Sequence, residues 1–196
     1  DVDLRVVPVD GWTRDMPFGD TNLPWVPPSP NMPSVESAFH YPGTCLFEGT
    51  NLSVGRGTDI AFQIVAAPWL DGARLAESMR EYGFPGVRFE PIRITPQGPG
   101  DGKFGDQEIS GVRLFSVDPD YDPTRVALAL LRETLAMSGD RWEWREAHFD
   151  RLAGTDRLRA GLEAGSSMEA LSSGWNAALD AFRQMRAKYL IYPAGE

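Results

Sequence analysis

Seven prolines crowd one stretch of this 196-residue chain: Pro17, Pro24, Pro27, Pro28, Pro30, Pro33 and Pro42. Each removes a backbone donor, fixes its own φ and biases the preceding residue away from helix. Regular structure is therefore excluded from most of the segment, and residues 1–43 read as an extended, Pro- and aromatic-rich lead-in. Such a segment is either a linker or an ordered loop. Trp12, Phe18, Trp25, Phe39 and Tyr41 punctuate it, and large aromatic side chains need somewhere to be buried. An ordered loop pinned by its aromatics is the expectation, and long ordered loops are usually functional.

Beyond residue 43 the pattern is that of a folded domain, 44–196. Ile60–Ala66, Val87–Ile94 and Val112–Val117 read as strands, as do Val2–Val9 ahead of the proline stretch and Tyr189–Tyr192 at the end. Asp71 is placed to cap a helix reaching Tyr82, with Leu75, Met79 and Tyr82 on one stripe and Gly83 as its stop. Asp122–Pro123 opens a second helix, running to Met137 and stopped by Gly139. Ser166 and Glu169 have capping-box spacing. Met168, Leu171, Trp175, Leu179, Phe182 and Met185 then recur every three or four residues, which predicts a helix with this stripe in the core. Strands and helices alternate without strict βαβ order. The fold class expected is α/β (α+β), a mixed sheet with packed helices.

Charge and residue counts remove several functions. The net charge is −9, which disfavours a nucleic-acid partner. No apolar run approaches the roughly 20 residues of a membrane span. One cysteine, Cys45, excludes an intrachain disulfide, and two histidines, His40 and His148, stand in no metal-ligand spacing. Neither metal nor cofactor is expected. Asp118, Asp120 and Asp122 alternate, but the later glycine and glutamate of a calcium loop are missing, so turn formation and capping are the reading. His40, between Phe39 and Tyr41, reads as packed or on the surface. His148 reads as a surface or interface residue, and Trp142, Trp144 and Phe149 as a buried flank.

Chemistry concentrates between Tyr41 and Thr58. Gly49, Gly55 and Gly57 permit close approach or positive φ. Thr50, Asn51, Ser53 and Thr58 are short hydrogen-bonding residues, and Glu48 and Arg56 place one acid and one planar, forked donor on the same loop. Sugars are gripped by surfaces of this kind, and a sugar bearing a carboxylate needs an arginine. The same residues also make ordinary connectors, with Glu48 and Arg56 simply pairing. Both readings stand at this point. Asn31, stiffened between Pro30 and Pro33, is either a presented amide or a residue satisfying its own turn.

Taken together, Trp12, Ser29-Pro-Asn-Met-Pro33, Tyr41-Pro-Gly43, Glu48-Gly-Thr-Asn51-x-Ser53-x-Gly55-Arg-Gly-Thr58, Ala67-Pro-Trp69 and Tyr189-Leu-Ile-Tyr192 resemble the exo-acting peptidoglycan β-N-acetylmuramidases of the NamZ type (the DUF1343 family). The resemblance runs over nearly the whole chain. It implies the C-terminal part of a two-part protein whose N-terminal Rossmann-like domain is absent from this chain, with the substrate cleft between the parts. It implies release of N-acetylmuramic acid from the non-reducing end of peptidoglycan fragments; a periplasmic or secreted location is the expectation, with a cytoplasmic one the open alternative. Within the matching motif, Glu48 is the candidate catalytic residue, either as acid/base or as a hydrogen-bond acceptor for sugar hydroxyls. Asn31, Thr50, Asn51, Ser53, Arg56 and Thr58 are candidate substrate contacts, with Arg56 the candidate for the lactyl carboxylate. The second carboxyl group that glycoside hydrolysis requires would come from the N-terminal part, the expected partner. The alternative is a non-catalytic carbohydrate-binding or interaction module.

Overall fold

The computed structural model describes residues 2–118 and 121–193. They fall into two compact units, Val26–Leu171 and a smaller one formed by Asp1–Trp25 with Ser172–Glu196.

The larger unit runs α1 (Val35–Thr44), a 3-10 turn (Cys45–Gly49), β1 (Ile64–Ala67), α2 (Gly72–Glu81), β2 (Val87–Ile94), β3 (Ile109–Ser116), α3 (Pro123–Ser138), α4 (Glu146–Ala153), α5 (Arg157–Glu163) and α6 (Met168–Leu171). The helix starts are those the sequence signals. Asp71 accepts hydrogen bonds from the N–H groups of Ala73 and Arg74, and Asp122 does the same for Thr124 and Arg125, with Pro123 opening α3. Asp120 lies outside the described residues. At α6 the capping residue is Ser167 rather than Ser166: its hydroxyl accepts from Ala170 N–H at 3.1 Å.

Among the described residues the strands form one sheet in the order β1-β3-β2. Both pairings are antiparallel, with Val65 opposite Val112 and Ile94 opposite Ile109. The α+β class is as expected, but the sheet is antiparallel rather than mixed. β2 and β3 are neighbours across a loop, and parallel pairing would have required a long crossover. β1 is shorter than the apolar run that predicted it, because the chain is still turning at Phe62, which has φ +66°. α2 packs on β2 and β3, and α1 packs on α3. Phe47, Phe62, Ile64, Leu75, Met79, Leu114, Leu130 and Phe149 are fully buried in this unit.

α1 corrects the reading of residues 1–43 as extended throughout. Ser34 caps it by accepting from Ser37 N–H, and Pro42 lies inside its last turn. An interior proline costs about 3 kcal/mol, and packing offsets it. Ser37, His40, Gly43 and Thr44 are buried, and Gly43 lies so close to the Pro123 carbonyl of α3 that no Cβ fits between them.

The buried His40 joins α1 to the end of the sheet. Its Nε2 is 2.9 Å from Glu36 Oε1 and its Nδ1 is 2.8 Å from the Tyr121 hydroxyl. Glu36 also accepts from Ser116 N–H (2.6 Å) and the Ser116 hydroxyl (2.7 Å). Burial holds the His40 imidazole below its ordinary value, and Arg113 adds to this against the opposing pull of Glu36. A neutral ring then donates to Glu36 and accepts from Tyr121. Burial alone would raise the Glu36 carboxyl, but the Ser116 and His40 hydrogen bonds outweigh it and hold it low. In both cases the unfolded chain binds the proton more tightly, so stability falls as pH falls. Unfolding free energy is expected to drop as pH passes below 6.5 and again below 4.5, the unfolded values of the two groups. Urea titrations across that range check it, and Glu36→Gln should remove the second drop.

The smaller unit departs most from expectation. Val2–Val9 and Tyr189–Tyr192 are not strands: the first is irregular, and the second follows a 3-10 turn at Ala187–Tyr189. A strand exists only where a second strand accepts its hydrogen bonds, and among the described residues none does. The aromatics do pin this unit, as expected. Trp12 packs edge-on against Tyr192 at 4.7 Å and Phe18 against Trp25 at 5.1 Å. α7 (Trp175–Arg186) is helical as predicted, but its stripe is not core. Leu179, Phe182 and Met185 are 47%, 51% and 57% exposed. Periodicity shows that a face is apolar, not that its cover lies in the same stretch of chain.

Candidate active site

The 3-10 turn that follows α1 sets Glu48, and a second turn brings Arg56 back to it. Arg56 stands between Gly55 and Gly57, each at φ +82°, a conformation side chains rarely tolerate. Thr58 closes this turn through its hydroxyl, which donates to the Gly55 carbonyl at 2.7 Å. The Arg56 Nε and Nη2 both donate to Glu48 Oε1, at 2.8 and 2.5 Å. The Arg56 guanidinium also lies 5.2 Å above the ring of Phe62, the residue in left-handed backbone. Strained backbone of this kind persists where its surroundings over-determine it, often beside functional groups.

This ion pair is not sealed in the interior. Glu48 and Arg56 side chains are 18% and 22% exposed, and they line a cavity of about 390 Å³ together with Asn31, Gly100, Asp101, Arg145 and His148. Both guanidinium hydrogen bonds fall on one carboxylate oxygen, so Glu48 Oε2 stays available to a ligand. Asp101 Oδ1 accepts from Lys103 N–H at 3.2 Å, while its Oδ2 is buried with no hydrogen-bond partner. Buried polar atoms are normally paired, so this oxygen is an acceptor that the fold leaves unsatisfied in a residue of the cavity wall. A larger hollow, about 620 Å³, lies between Trp69, Asp71, Arg93 and Ser110, but its acid caps α2 and its arginine pairs with Glu108.

Lys103, two residues after Asp101, is buried and donates to the carbonyls of Phe47 (3.1 Å) and Leu52 (2.7 Å). Burial pushes its ammonium down to about 8, with Asp101 opposing and Arg145 assisting. The Cys45 thiol is pushed up by burial and by the charge of Glu48. Both effects disfavour the thiolate, which is the reactive form.

Of the predicted site residues, the structure brings together Asn31, Glu48 and Arg56. Thr50, Asn51, Ser53 and Thr58 do not line the cavity. Thr50 and Ser53 are fully buried; the Thr50 hydroxyl donates to Phe47 O and accepts from Leu52 N–H, and Ser53 Oγ accepts from Gly55 N–H. Asn51 clasps a distant segment: its Nδ2 donates to Arg141 O at 2.8 Å and its Oδ1 accepts from Glu143 N–H at 3.2 Å. These four build the loop that holds the ion pair. Asn51→Ala is accordingly expected to cost about 2 kcal/mol in a urea titration while leaving the KM of the folded intact protein within about twofold.

Asp101, Lys103, Arg145 and His148 are the residues that sequence reasoning missed. They sit about fifty and a hundred positions from Glu48 in the chain, and no local spacing links them to it. α4 packs on the Cys45–Gly49 turn, and Arg145 N–H donates to the Gly49 carbonyl at 2.8 Å. Only that contact places Arg145 and His148 at the cavity.

Fold and site together define an α+β domain with an ion-paired polar cleft. A family model described as the C-terminal part of the exo-β-N-acetylmuramidase NamZ matches residues 39–192, and one described as its N-terminal part matches residues 1–36. The chain belongs to the NamZ family. A peptidoglycan β-N-acetylmuramidase NamZ of Bacillus subtilis (strain 168) is 38% identical over 194 residues, 98% of this chain and 46% of that protein. Two crystal structures of DUF1343 family proteins from Bacteroides fragilis NCTC 9343 are similar. One has TM-score 0.85 and 28% identity, covering 93% of this chain and 49% of the other. The second has TM-score 0.60 and 26% identity, covering 86% and 44%. The chain thus spans about half the length of the relatives it matches.

Proposed function

We propose that this chain is one wall of the active site of a peptidoglycan glycoside hydrolase that releases N-acetylmuramic acid from the non-reducing end of wall fragments, outside the cytoplasmic membrane. The observation that carries the reading is the Glu48–Arg56 pair, set in an open polar cavity within a chain that matches the NamZ models along almost its whole length. The identity with the Bacillus subtilis muramidase supports the same reaction.

Glycoside hydrolysis uses two carboxyl groups across the scissile bond. A carboxylate already accepting two guanidinium hydrogen bonds is suited to act as base, nucleophile or charge stabiliser, not as proton donor. Glu48 takes that role through Oε2, and the proton donor comes from the N-terminal part of the intact protein. Asn31, on the cavity wall, binds a sugar hydroxyl or amide group. The match of residues 1–36 to the N-terminal model supports that partner. So do the uncovered apolar residues Val2, Leu4, Val7, Phe182 and Met185, which give it a surface to pack on.

The test is to incubate the intact protein with peptide-free glycan fragments that carry a muramyl residue at the non-reducing end, and to measure free N-acetylmuramic acid by mass spectrometry. Its steady release is expected. This chain alone should be inactive until the N-terminal part is added. Fragments left untouched by the intact protein would sink the proposal.

A further inference from the structure

Arg56 looks like the receptor for a sugar carboxylate when the loop is read by itself, but the structure commits it elsewhere. Its Nε and Nη2 are both held by Glu48. Asp101, the other acid of the cavity, accepts from the backbone N–H of Lys103, and its charge acts on the buried Lys103 ammonium without forming an ion pair. Arg145 is different. It lines the same cavity, its side chain is exposed, and among the described residues no carboxylate lies within ion-pair distance of it. Its acidic neighbour Glu146 pairs with Arg159 instead.

The surroundings of Arg145 add to this. It is the N-cap residue of α4, and no side chain caps that helix. The partial positive charge of the helix start adds to that of the arginine, with Glu146 the acidic residue of the first turn. His148, one turn further on, lines the cavity too and makes no side-chain hydrogen bond among the described residues. A charged fork and an open imidazole line one cleft in which the other arginine is already paired with Glu48.

We propose that Arg145, with His148 beside it, receives the carboxylate of an acidic sugar and so determines specificity, while Arg56 is a positioning residue that holds Glu48. The inference rests on the muramidase reading for the identity of that sugar: the lactyl carboxylate distinguishes N-acetylmuramic acid from N-acetylglucosamine.

The experiment compares the intact protein with its Arg145→Ala, Arg145→Lys and Arg56→Ala variants on a chromogenic N-acetylmuramide and on the same muramide with its lactyl group amidated. Arg145→Ala is expected to raise KM for the acidic sugar about tenfold or more, and to leave the amidated sugar nearly unchanged, as loss of a charged hydrogen bond predicts. Arg145→Lys, keeping the charge without the fork, should recover part of the loss. Arg56→Ala should lower kcat on both sugars alike. Arg145 is surface-exposed, so its variants should fold, and coincident urea curves verify that. Equal effects of Arg145→Ala on both sugars, or discrimination lost through Arg56→Ala alone, overturn the assignment. Should the wild-type protein cleave neither sugar, the hydrolase reading fails separately. Calorimetry with free N-acetylmuramic acid then decides: binding lost in Arg145→Ala but kept in Arg56→Ala upholds the assignment, and any other pattern overturns it.

Discussion

Glu48→Gln in the intact protein is expected to lower kcat on a muramide by about a thousandfold, within the range assigned to a positioned acid or base, with KM little changed. Glutamine keeps the shape and one acceptor oxygen but loses the charge. The variant should fold, because the glutamine Oε1 still accepts from the Arg56 guanidinium, and its urea midpoint verifies this. The Arg56 guanidinium would still be held above Phe62. The result is informative for its split between the two constants. A binding role for Glu48 predicts a raised KM at nearly constant kcat, and a scaffold role predicts a lowered unfolding midpoint with activity preserved per folded molecule. Either pattern removes Glu48 from the chemistry.

Gly49→Ala is the second large effect, and here the loss is structural first. An added Cβ would lie 2.5 Å from Phe149 Cα and 2.6 Å from its Cβ, in a place where Phe149 is fully buried and packed at 4.6 Å against Trp144. The obstacle is backbone, so no rotamer change relieves it. α4 must retreat from the Cys45–Gly49 turn, stretching the Arg145 N–H to Gly49 O hydrogen bond. Overpacking of this severity costs about 3 kcal/mol, read as a lowered urea midpoint. A displacement of about 1 Å moves Arg145 and His148 away from Glu48, for which a loss of about a hundredfold in kcat/KM is the scale. Gly19→Ala is the control: nothing lies within 4 Å of its added Cβ, and the change should fall within about 0.5 kcal/mol. Equal tolerance at both glycines would mean that the turn and α4 are not in contact as described.

Gly49 also shows where reading from sequence falls short. Within its motif it looks like a glycine that lets backbone approach a ligand. In the fold it lets one helix approach a turn. The small-residue requirement was legible, but the object approached was not, because Phe149 lies a hundred positions away. α2, α3, β2 and β3 were legible for the opposite reason. Their caps, stops and periodicities are contained within a few residues of the element itself, as at Asp71 and Asp122. α1 was hidden by Pro42, since propensity argues against a helix there and only the burial of Gly43 and Thr44 against the rest of the unit restores it. Val2–Val9 and Tyr189–Tyr192 carry strand composition but not strand structure.

The family, the elements whose caps and periodicities are local, and the presence of an acid and an arginine on one glycine-rich loop follow from residue order, because each depends on groups that are neighbours along the chain. Which polar side chains face a ligand does not. Thr50, Asn51, Ser53 and Thr58 have the hydrogen-bonding capacity of sugar contacts, yet their atoms are committed to backbone groups of the loop and of the Arg141–Glu143 segment. Asp101, Arg145 and His148 offer nothing distinctive in sequence and line the cavity. A donor or acceptor serves a ligand only if the folded chain leaves it unpaired at a surface, and that pairing is decided by contacts between residues fifty to a hundred positions apart, which tertiary packing alone creates.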